Sequence, residues 1–212
     1  MLLIGMFDSP FVRRVAVSLK LLDMPFEHAN WSVGKDFDRI REFNPLGRVP
    51  TLVTGDRQSL MESGAILDWI DEQAGPERAL LPRSGADRRT ALNLMAIATG
   101  AAEKGVLQLY ERVFRPEAKR HAPWVERCHL QMSASLAALD RAVGERGVSQ
   151  WLVGKRMTQA DITVACAFTF LNDALRVASD RVMYASLATL AARCESLPAF
   201  QETRLAFHPP AN

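Results

Sequence analysis

The serine at the amino end of the first predicted helix is the residue whose type and position point most directly to chemistry. Residues 2–6 form an apolar run typical of a buried strand, and apolar residues then recur at helical spacing from Val12 to Leu22. Ser9 therefore lies where helix N–H groups are unpaired and the macrodipole is positive, a setting that stabilises a thiolate or another anion. The alternative is structural, because Ser9 followed by Pro10 is also a common helix start.

Two later positions offer backbone and side-chain groups to a peptide-like ligand. Pro50 follows a loop and enters a predicted strand, where a cis bond would leave the Val49 backbone available to a ligand, although an ordinary trans turn is the alternative. Glu62 and Ser63 begin a predicted helix, where a hydroxyl and an unpaired amide bind a carboxylate. The alternative for this pair is a simple helix cap.

The sequence contains no recognisable motif for binding a metal or a phosphate. The histidines have no paired metal-ligand spacing; they are His28, His121, His129 and His208. Residues 153–156 look like the end of a phosphate-binding loop, but the preceding glycine and the following hydroxyl residue are missing. We therefore expect no metal site.

Composition and charge argue against nucleic acid and membranes as partners. The 212 residues carry 26 basic and 24 acidic side chains, and this near balance provides no basic surface for an anionic polymer. No apolar run approaches the ~20 residues that span a bilayer. The cysteines are well separated in sequence, which favours a reducing compartment and a cytoplasmic protein.

The chain divides into a mixed part and a helical part, so the predicted class is α/β followed by all-α. Strands are predicted over residues 2–6, 26–30, 51–53 and 59–61, with one helix after the first strand and another from about residue 63. The predicted domains are 1–76 and 87–212. The predicted linker is the segment over 77–86, because residues 75–85 hold two prolines and two glycines and have little periodicity.

The second part is a succession of helical patterns. Helices are predicted over 87–114, 124–143, 158–171, 182–195 and 198–205. Thr158 and Asp161 have the spacing of a capping box at the start of an apolar helix. These residues are interpreted as structural.

Several of these motifs, taken in order, resemble those of the glutathione transferase superfamily. They are Ser-Pro-Phe-Val-Arg-Arg over 9–14, Asn-Pro-Leu-Gly-Arg-Val-Pro-Thr-Leu over 44–52, Glu-Ser over 62–63, the box over 158–161, and Leu-Pro-Ala-Phe over 197–200. The resemblance spans nearly the whole chain and is greatest to the bacterial serine-type group. It implies an N-terminal thioredoxin-like (βαβ-ββα) domain and a C-terminal helical bundle domain.

The resemblance also implies roles for individual residues. Ser9 would donate a hydrogen bond to the sulfur of glutathione, the co-substrate, and lower the pKa of that thiol so that the thiolate attacks a small-molecule electrophile. The remaining glutathione-binding residues would be Phe11, Arg48, Val49, the cis-proline Pro50, Glu62 and Ser63. Val49 would pair with the cysteinyl backbone, while Glu62 and Ser63 would hold the γ-glutamyl end.

The resemblance further implies a second-substrate pocket and a homodimer. Phe7, Trp31, Tyr110 and Phe114 are candidates for the apolar pocket walls, and core packing is the alternative for each. Glu103 is a candidate for contact with the glutathione of the partner subunit. No cysteine lies near residue 9 and the tyrosines lie in the helical part, which disfavours the cysteine-type and tyrosine-type classes.

Two other functions fit the same resemblance. One is a non-catalytic adaptor of the same fold, like the stringent starvation proteins, although an adaptor does not need a complete set of glutathione-binding residues. The other is a glutathione-dependent reductase or peroxidase, which would use the same thiolate on a peroxide or a mixed disulfide.

Overall fold

The computed structural model describes residues 1–178 and 183–208. The first part contains β1 (Leu2–Ile4), α1 (Pro10–Leu21), β2 (Glu27–Ala29), α2 (Phe37–Arg41), β3 (Thr51–Val53), β4 (Ser59–Met61) and α3 (Ser63–Ala74). The second part contains α4 (Gly85–Val113), a 3-10 turn (Glu117–Lys119), α5 (Ala122–Arg146), α6 (Gln159–Leu175), α7 (Ala185–Glu195) and α8 (Pro198–Gln201).

The four strands form one mixed sheet in the order β2-β1-β3-β4. β1 pairs parallel with β2 and antiparallel with β3, and β3 forms a hairpin with β4. Leu3 and Leu52 are opposite each other in register and both are fully buried. The sheet is covered by α1 and α3, so the first part is the thioredoxin-like unit that the resemblance implies.

The helical part is built on α4, α5 and α6, with α6 at its centre. Gly105 allows the close approach of α4 to α6, because a Cβ atom at this position would overlap the side chain of Leu171. α6 begins at the predicted capping box: both the Thr158 N–H and its hydroxyl donate to the Asp161 carboxylate, at 2.8 and 2.9 Å. Most of α6 is buried, which its apolar sequence requires.

A buried ion pair ties the two parts together. Arg13 on α1 donates through Nη1 and Nη2 to the two carboxylate oxygens of Glu195 on α7, both at 2.6 Å. The same guanidinium donates to the carbonyl oxygens of Phe200 and Thr203, which hold the C-terminal segment against α1. With these acceptors the guanidinium is satisfied despite its burial.

Some elements differ in length from the prediction. β1 ends at Ile4, short of residue 6, because Gly5 takes a φ of 128°, which leaves the extended conformation. α2 was not predicted, since only Ile40 of its residues is buried and so short an element has no apolar periodicity.

In the helical part, α6 continues to Leu175, and α8 ends at Gln201 where an end at residue 205 was expected. The helix expected over 182–195 starts at Ala185, and residue 182 lies outside the described residues.

The described residues contain neither a membrane-spanning helix nor a cluster of metal-ligand side chains. Across residues 1–178 and 183–208, no helix has the length and apolar character to cross a membrane. In the same ranges, histidine, cysteine and acidic side chains do not cluster in threes as metal ligands would.

Candidate active site

A cavity of about 390 Å³ lies between the sheet domain and the helices, and its lining is mostly apolar. Its walls come from the turn before α1, from residues around α2, from the loop before β3, from the end of α4 and from the C-terminal segment. Seven residues from the sequence-based site prediction line it: Ser9, Phe11, Trp31, Arg48, Val49, Tyr110 and Phe114.

Ser9 is both the N-cap of α1 and part of the cavity wall. Its Oγ accepts a hydrogen bond from the Val12 N–H at 3.4 Å, and Pro10 occupies the first helical turn. The structural interpretation of Ser9 therefore holds, and it is compatible with the chemical one. A hydroxyl that accepts at its oxygen retains its proton for donation to an anion in the cavity.

The loop before β3 brings backbone groups to the same cavity. The Val49–Pro50 peptide bond is cis. Gly5 makes room for this loop, since a Cβ atom there would lie 2.6 Å from Val12 Cγ2 and 2.7 Å from Val49 Cβ. The missing side chain thus lets Val49 pack against the start of α1 and the end of β1.

Arg48 and Glu62 form an open ion pair at the edge of the site. Arg48 Nη1 lies 3.7 Å from Glu62 Oε1, and both side chains are more than half exposed. A pair in such a setting contributes at most about 1 kcal/mol to stability and separates easily. Glu62 also has a φ of 65°, a conformation that non-glycine residues adopt at a cost of ~1–3 kcal/mol and that is concentrated at functional sites.

Ser63 is held by a buried arginine that the sequence analysis did not single out. Arg14 Nη2 donates to Ser63 Oγ at 2.7 Å, and Nη1 donates to Thr163 Oγ1 at 3.3 Å. Within the described part of the chain, the Arg14 Nε has no hydrogen-bond partner. Burial lowers the pKa of Arg14 to about 10. The Ser63 hydroxyl therefore accepts from a buried cation that has no carboxylate hydrogen-bonded to it.

Aromatic side chains form much of the cavity wall. Tyr110 and Phe114, one turn apart at the end of α4, pack edge to face with their centroids 4.9 Å apart. Burial raises the pKa of the Tyr110 phenol; the positive charge of Arg48 opposes this shift, and the smaller effect of the Asp8 carboxylate adds to it. On the opposite side, Trp31 stacks against the guanidinium of Arg39 at 3.9 Å.

Five predicted residues are outside the cavity lining: Pro50, Glu62 and Ser63 adjoin it through the contacts described above, whereas Phe7 and Glu103 lie elsewhere. Phe7 was expected in the second-substrate pocket, but its ring stacks on His28 at 3.8 Å and borders a separate open groove with Lys20 and Phe26. The ring points away because the β1–α1 turn directs neighbouring residues 7 and 8 to different sides. Glu103 is exposed on α4, outside the cavity lining.

Two family models match the chain, and together they cover most of it. Residues 3–78 match the model for "Glutathione S-transferase, N-terminal domain", and residues 122–199 match "Glutathione S-transferase, C-terminal domain". The uncharacterised GST-like protein YibF of Escherichia coli (strain K12) is 30% identical over 81% of this chain and 82% of its own length.

The chain belongs to the glutathione S-transferase family.

Other members of the glutathione S-transferase family that resemble this chain have names that describe different activities. A maleylpyruvate isomerase of a Ralstonia species is 28% identical over 92% of both chains. A glutathione S-transferase from Methylobacterium radiotolerans, crystallised with glutathione sulfonate, superposes with a TM-score of 0.88 at 29% identity, covering 100% of this chain and 95% of its own. The family is thus settled, whereas its members differ in the reaction their names describe.

Several cavity residues of this family member were missed by the sequence analysis. They include Asp8, Phe170, Phe207 and His208. Phe207 packs edge to face on Phe170, and the His208 N–H donates to Asp8 Oδ2 at 3.4 Å. One feature of the sequence could have pointed to Arg14. It is one of two adjacent arginines in a mostly apolar helix, and charged residues in a helix that is covered on several sides usually make internal polar contacts. No feature of the sequence pointed to the other contacts, because the residues that form them are distant from each other along the chain.

Proposed function

We propose that this protein is a glutathione transferase in which Ser9 stabilises the thiolate of bound glutathione. The observation that carries the proposal is the placement of the Ser9 hydroxyl at the amino end of α1, in the wall of a mostly apolar cavity. The helix end and the hydroxyl both favour an anion. Together they would shift the glutathione thiol from a pKa of about 8.5 towards neutrality and raise the reactive thiolate fraction.

The rest of the tripeptide would extend along the edge of the sheet. The Val49 backbone beside the cis Pro50 would pair with the cysteinyl residue, and Arg48 would reach the glycyl carboxylate. Glu62 would bind the γ-glutamyl amine and Ser63 the γ-glutamyl carboxylate. The buried Arg14 cation supports the last assignment, because a carboxylate at Ser63 would add a close negative charge to the more distant one of Glu62.

The second substrate would be a small electrophile in the apolar cavity. With an aryl chloride, a carbon–sulfur bond forms, the carbon–chlorine bond breaks, chloride leaves, and the thiol proton has already passed to solvent. Trp31, Tyr110 and Phe114 would contact the electrophile. The serine at the first turn supports placement in the bacterial serine-type group. The free, buried cysteines support a cytoplasmic setting.

The first prediction tests Ser9 by separating its chemical role from its capping role. Glycine is nearly as good an N-cap as serine, differing by a few tenths of a kcal/mol, whereas alanine costs about 1 kcal/mol. Both Ser9→Gly and Ser9→Ala remove the hydroxyl. We expect both to lower kcat/KM for 1-chloro-2,4-dinitrobenzene about 10- to 100-fold, the effect of a lost hydrogen bond to an anion. The pH profile should move to higher pH in both variants.

The matched control is Ser135→Ala, in which the lost hydroxyl bonds only to its own helix. Unchanged rates and pH profiles in both Ser9 variants would reject the role of Ser9. Calorimetry with glutathione addresses the adaptor alternative separately: absence of binding at millimolar glutathione would favour an adaptor over any glutathione-dependent enzyme.

We also propose a homodimer, with an interface along α3 and α4. Leu92 and Leu107 are more than one-third exposed and lie on one face of α4, together with Glu103. Gly64 and Ala65 are exposed on α3 nearby and would allow close approach of a second copy. In this arrangement Glu103 would face the glutathione site of the partner subunit.

A further inference from the structure

We propose that Asp8 makes the second-substrate cavity select against anionic electrophiles and favour neutral ones. This inference rests on the proposed function, since it concerns the same site and assumes glutathione beside Ser9. It adds a specificity-determining residue that precedes the serine and that the family resemblance does not assign.

Asp8 adjoins the residue that is proposed to hold the reacting sulfur. Asp8 directly precedes Ser9, both residues line the cavity, and successive Cα atoms are about 3.8 Å apart. Asp8 is the only acidic residue in the described cavity wall. An anionic substrate would therefore meet two like charges, the thiolate and this carboxylate, in a partly desolvated space.

The Asp8 carboxylate is oriented by the C-terminal segment. The His208 N–H donates to Asp8 Oδ2 at 3.4 Å, and Phe207 packs against Phe170 next to this contact. Asp8 is half-buried, and its field reaches across the cavity to Tyr110, whose phenol it makes harder to ionise. The carboxylate thus acts on the space that the second substrate occupies.

Arg48 is the positive group that opposes this charge: it lowers the pKa of the Tyr110 phenol more than Asp8 raises it, but in the proposed complex its guanidinium would pair with the glycyl carboxylate of glutathione. Arg48 is 59% exposed and lies 3.7 Å from the Glu62 carboxylate, at the edge assigned to glutathione. The His208 ring is exposed, and its Nδ1 is engaged by the Ala206 carbonyl at 2.7 Å. Maleylpyruvate, the substrate in the name of the Ralstonia relative, carries two carboxylates and is the type of molecule that Asp8 would disfavour.

The experiment compares two glutathione conjugates that differ by one charge inside the cavity. S-benzylglutathione and S-(4-carboxybenzyl)glutathione are titrated calorimetrically at pH 7.5 into wild type, Asp8→Asn and Asp23→Asn. Asparagine keeps an acceptor for the His208 N–H but removes the charge. Asp23 is the matched control, because its side chain is 90% exposed and it lies outside the cavity.

We expect wild type to bind the neutral conjugate more tightly. Asp8→Asn should lower this preference about 20-fold, the order of effect for a like charge roughly 8–10 Å away at an effective dielectric constant near 20. Asp23→Asn should keep the wild-type ratio. An unchanged ratio in Asp8→Asn would overturn the inference while leaving the proposed function intact. Failure of both conjugates to bind wild type would overturn the proposed function, and this inference with it.

Discussion

At the scale of single residues, Arg14 is the least expected feature of the site. It lies in α1 with 5% of its surface exposed, and among the described residues its guanidinium donates to two hydroxyl groups only, those of Ser63 and Thr163. Burial lowers its pKa to about 10, which means that the folded protein holds this cation against a desolvation penalty at neutral pH. A ligand carboxylate at Ser63 would offset that penalty.

This assignment predicts that Arg14→Met weakens glutathione binding without weakening the free protein. In wild type, glutathione at 100 times its Kd should add about 2.7 kcal/mol to the free energy of unfolding. For a chain of this size that is a rise of roughly 5–10 °C in Tm. At the same glutathione concentration, Arg14→Met should show a rise of less than about 3 °C, while its Tm without ligand stays close to wild type or increases.

Thermal melts with and without glutathione measure both quantities. Arg14→Lys is the matched control for charge: it keeps the cation but loses the second donor, and should fall between wild type and Arg14→Met. An equal glutathione-induced shift in wild type and Arg14→Met would show that the γ-glutamyl carboxylate binds elsewhere.

At the scale of elements, α6 depends on the Asp161 carboxylate. Its Oδ1 accepts from the Leu152 N–H and its Oδ2 from the Thr158 N–H, both at 2.8 Å, and the side chain is fully buried. Burial raises the pKa of Asp161, although these donors oppose the shift. One buried carboxylate in the helical core thus accepts hydrogen bonds from the N–H groups of both the helix start and the preceding loop.

We therefore expect Asp161→Ala to destabilise the protein by about 3 kcal/mol, combining the loss of a helix cap with buried N–H groups left without an acceptor. Chemical denaturation should report this loss, and Tm should fall by about 10 °C. Asp38→Ala, at a side chain that is 93% exposed, is the control and should change stability by less than ~0.5 kcal/mol. A loss below ~1 kcal/mol in Asp161→Ala would mean that other groups replace the carboxylate.

At the scale of the whole molecule, the apolar face of α4 and α3 requires explanation. Leu92 is 43% exposed one turn beyond Arg88, whose guanidinium lies 4.0 Å from Asp68 on α3. This contact joins α4 to α3, on which Gly64 and Ala65 are also exposed. In a homodimer this surface would be buried.

Sedimentation analysis tests the dimer directly. Wild type should sediment at twice the 23.6 kDa chain mass. Leu92→Glu should weaken association about 100-fold or more, because an unpaired charge buried at an interface costs several kcal/mol. Leu130→Glu, on α5 at 60% exposure, should remain dimeric. A monomeric wild type, or a dimer unaffected by Leu92→Glu, would contradict this interface.

The sequence alone was sufficient for features that depend on neighbours within a few positions. The Ser9–Pro10 helix start, the hairpin around residues 54–58 and the capping box at Thr158 are local arrangements, and the structure has each of them. Their order along the chain was enough to predict the thioredoxin-like and helical architecture and the family. Short elements such as α2 were missed, since a single buried residue gives no periodic pattern.

Only the tertiary structure decided how the site is completed. The Arg14–Ser63 contact spans 49 positions and the Asp8–His208 contact spans 200. Phe7 and Asp8 are adjacent in sequence, yet one faces a surface groove and the other the cavity. Periodicity and local motifs report which residues are buried or cap a helix. They do not report which distant side chains meet, because that depends on how the finished elements pack against one another.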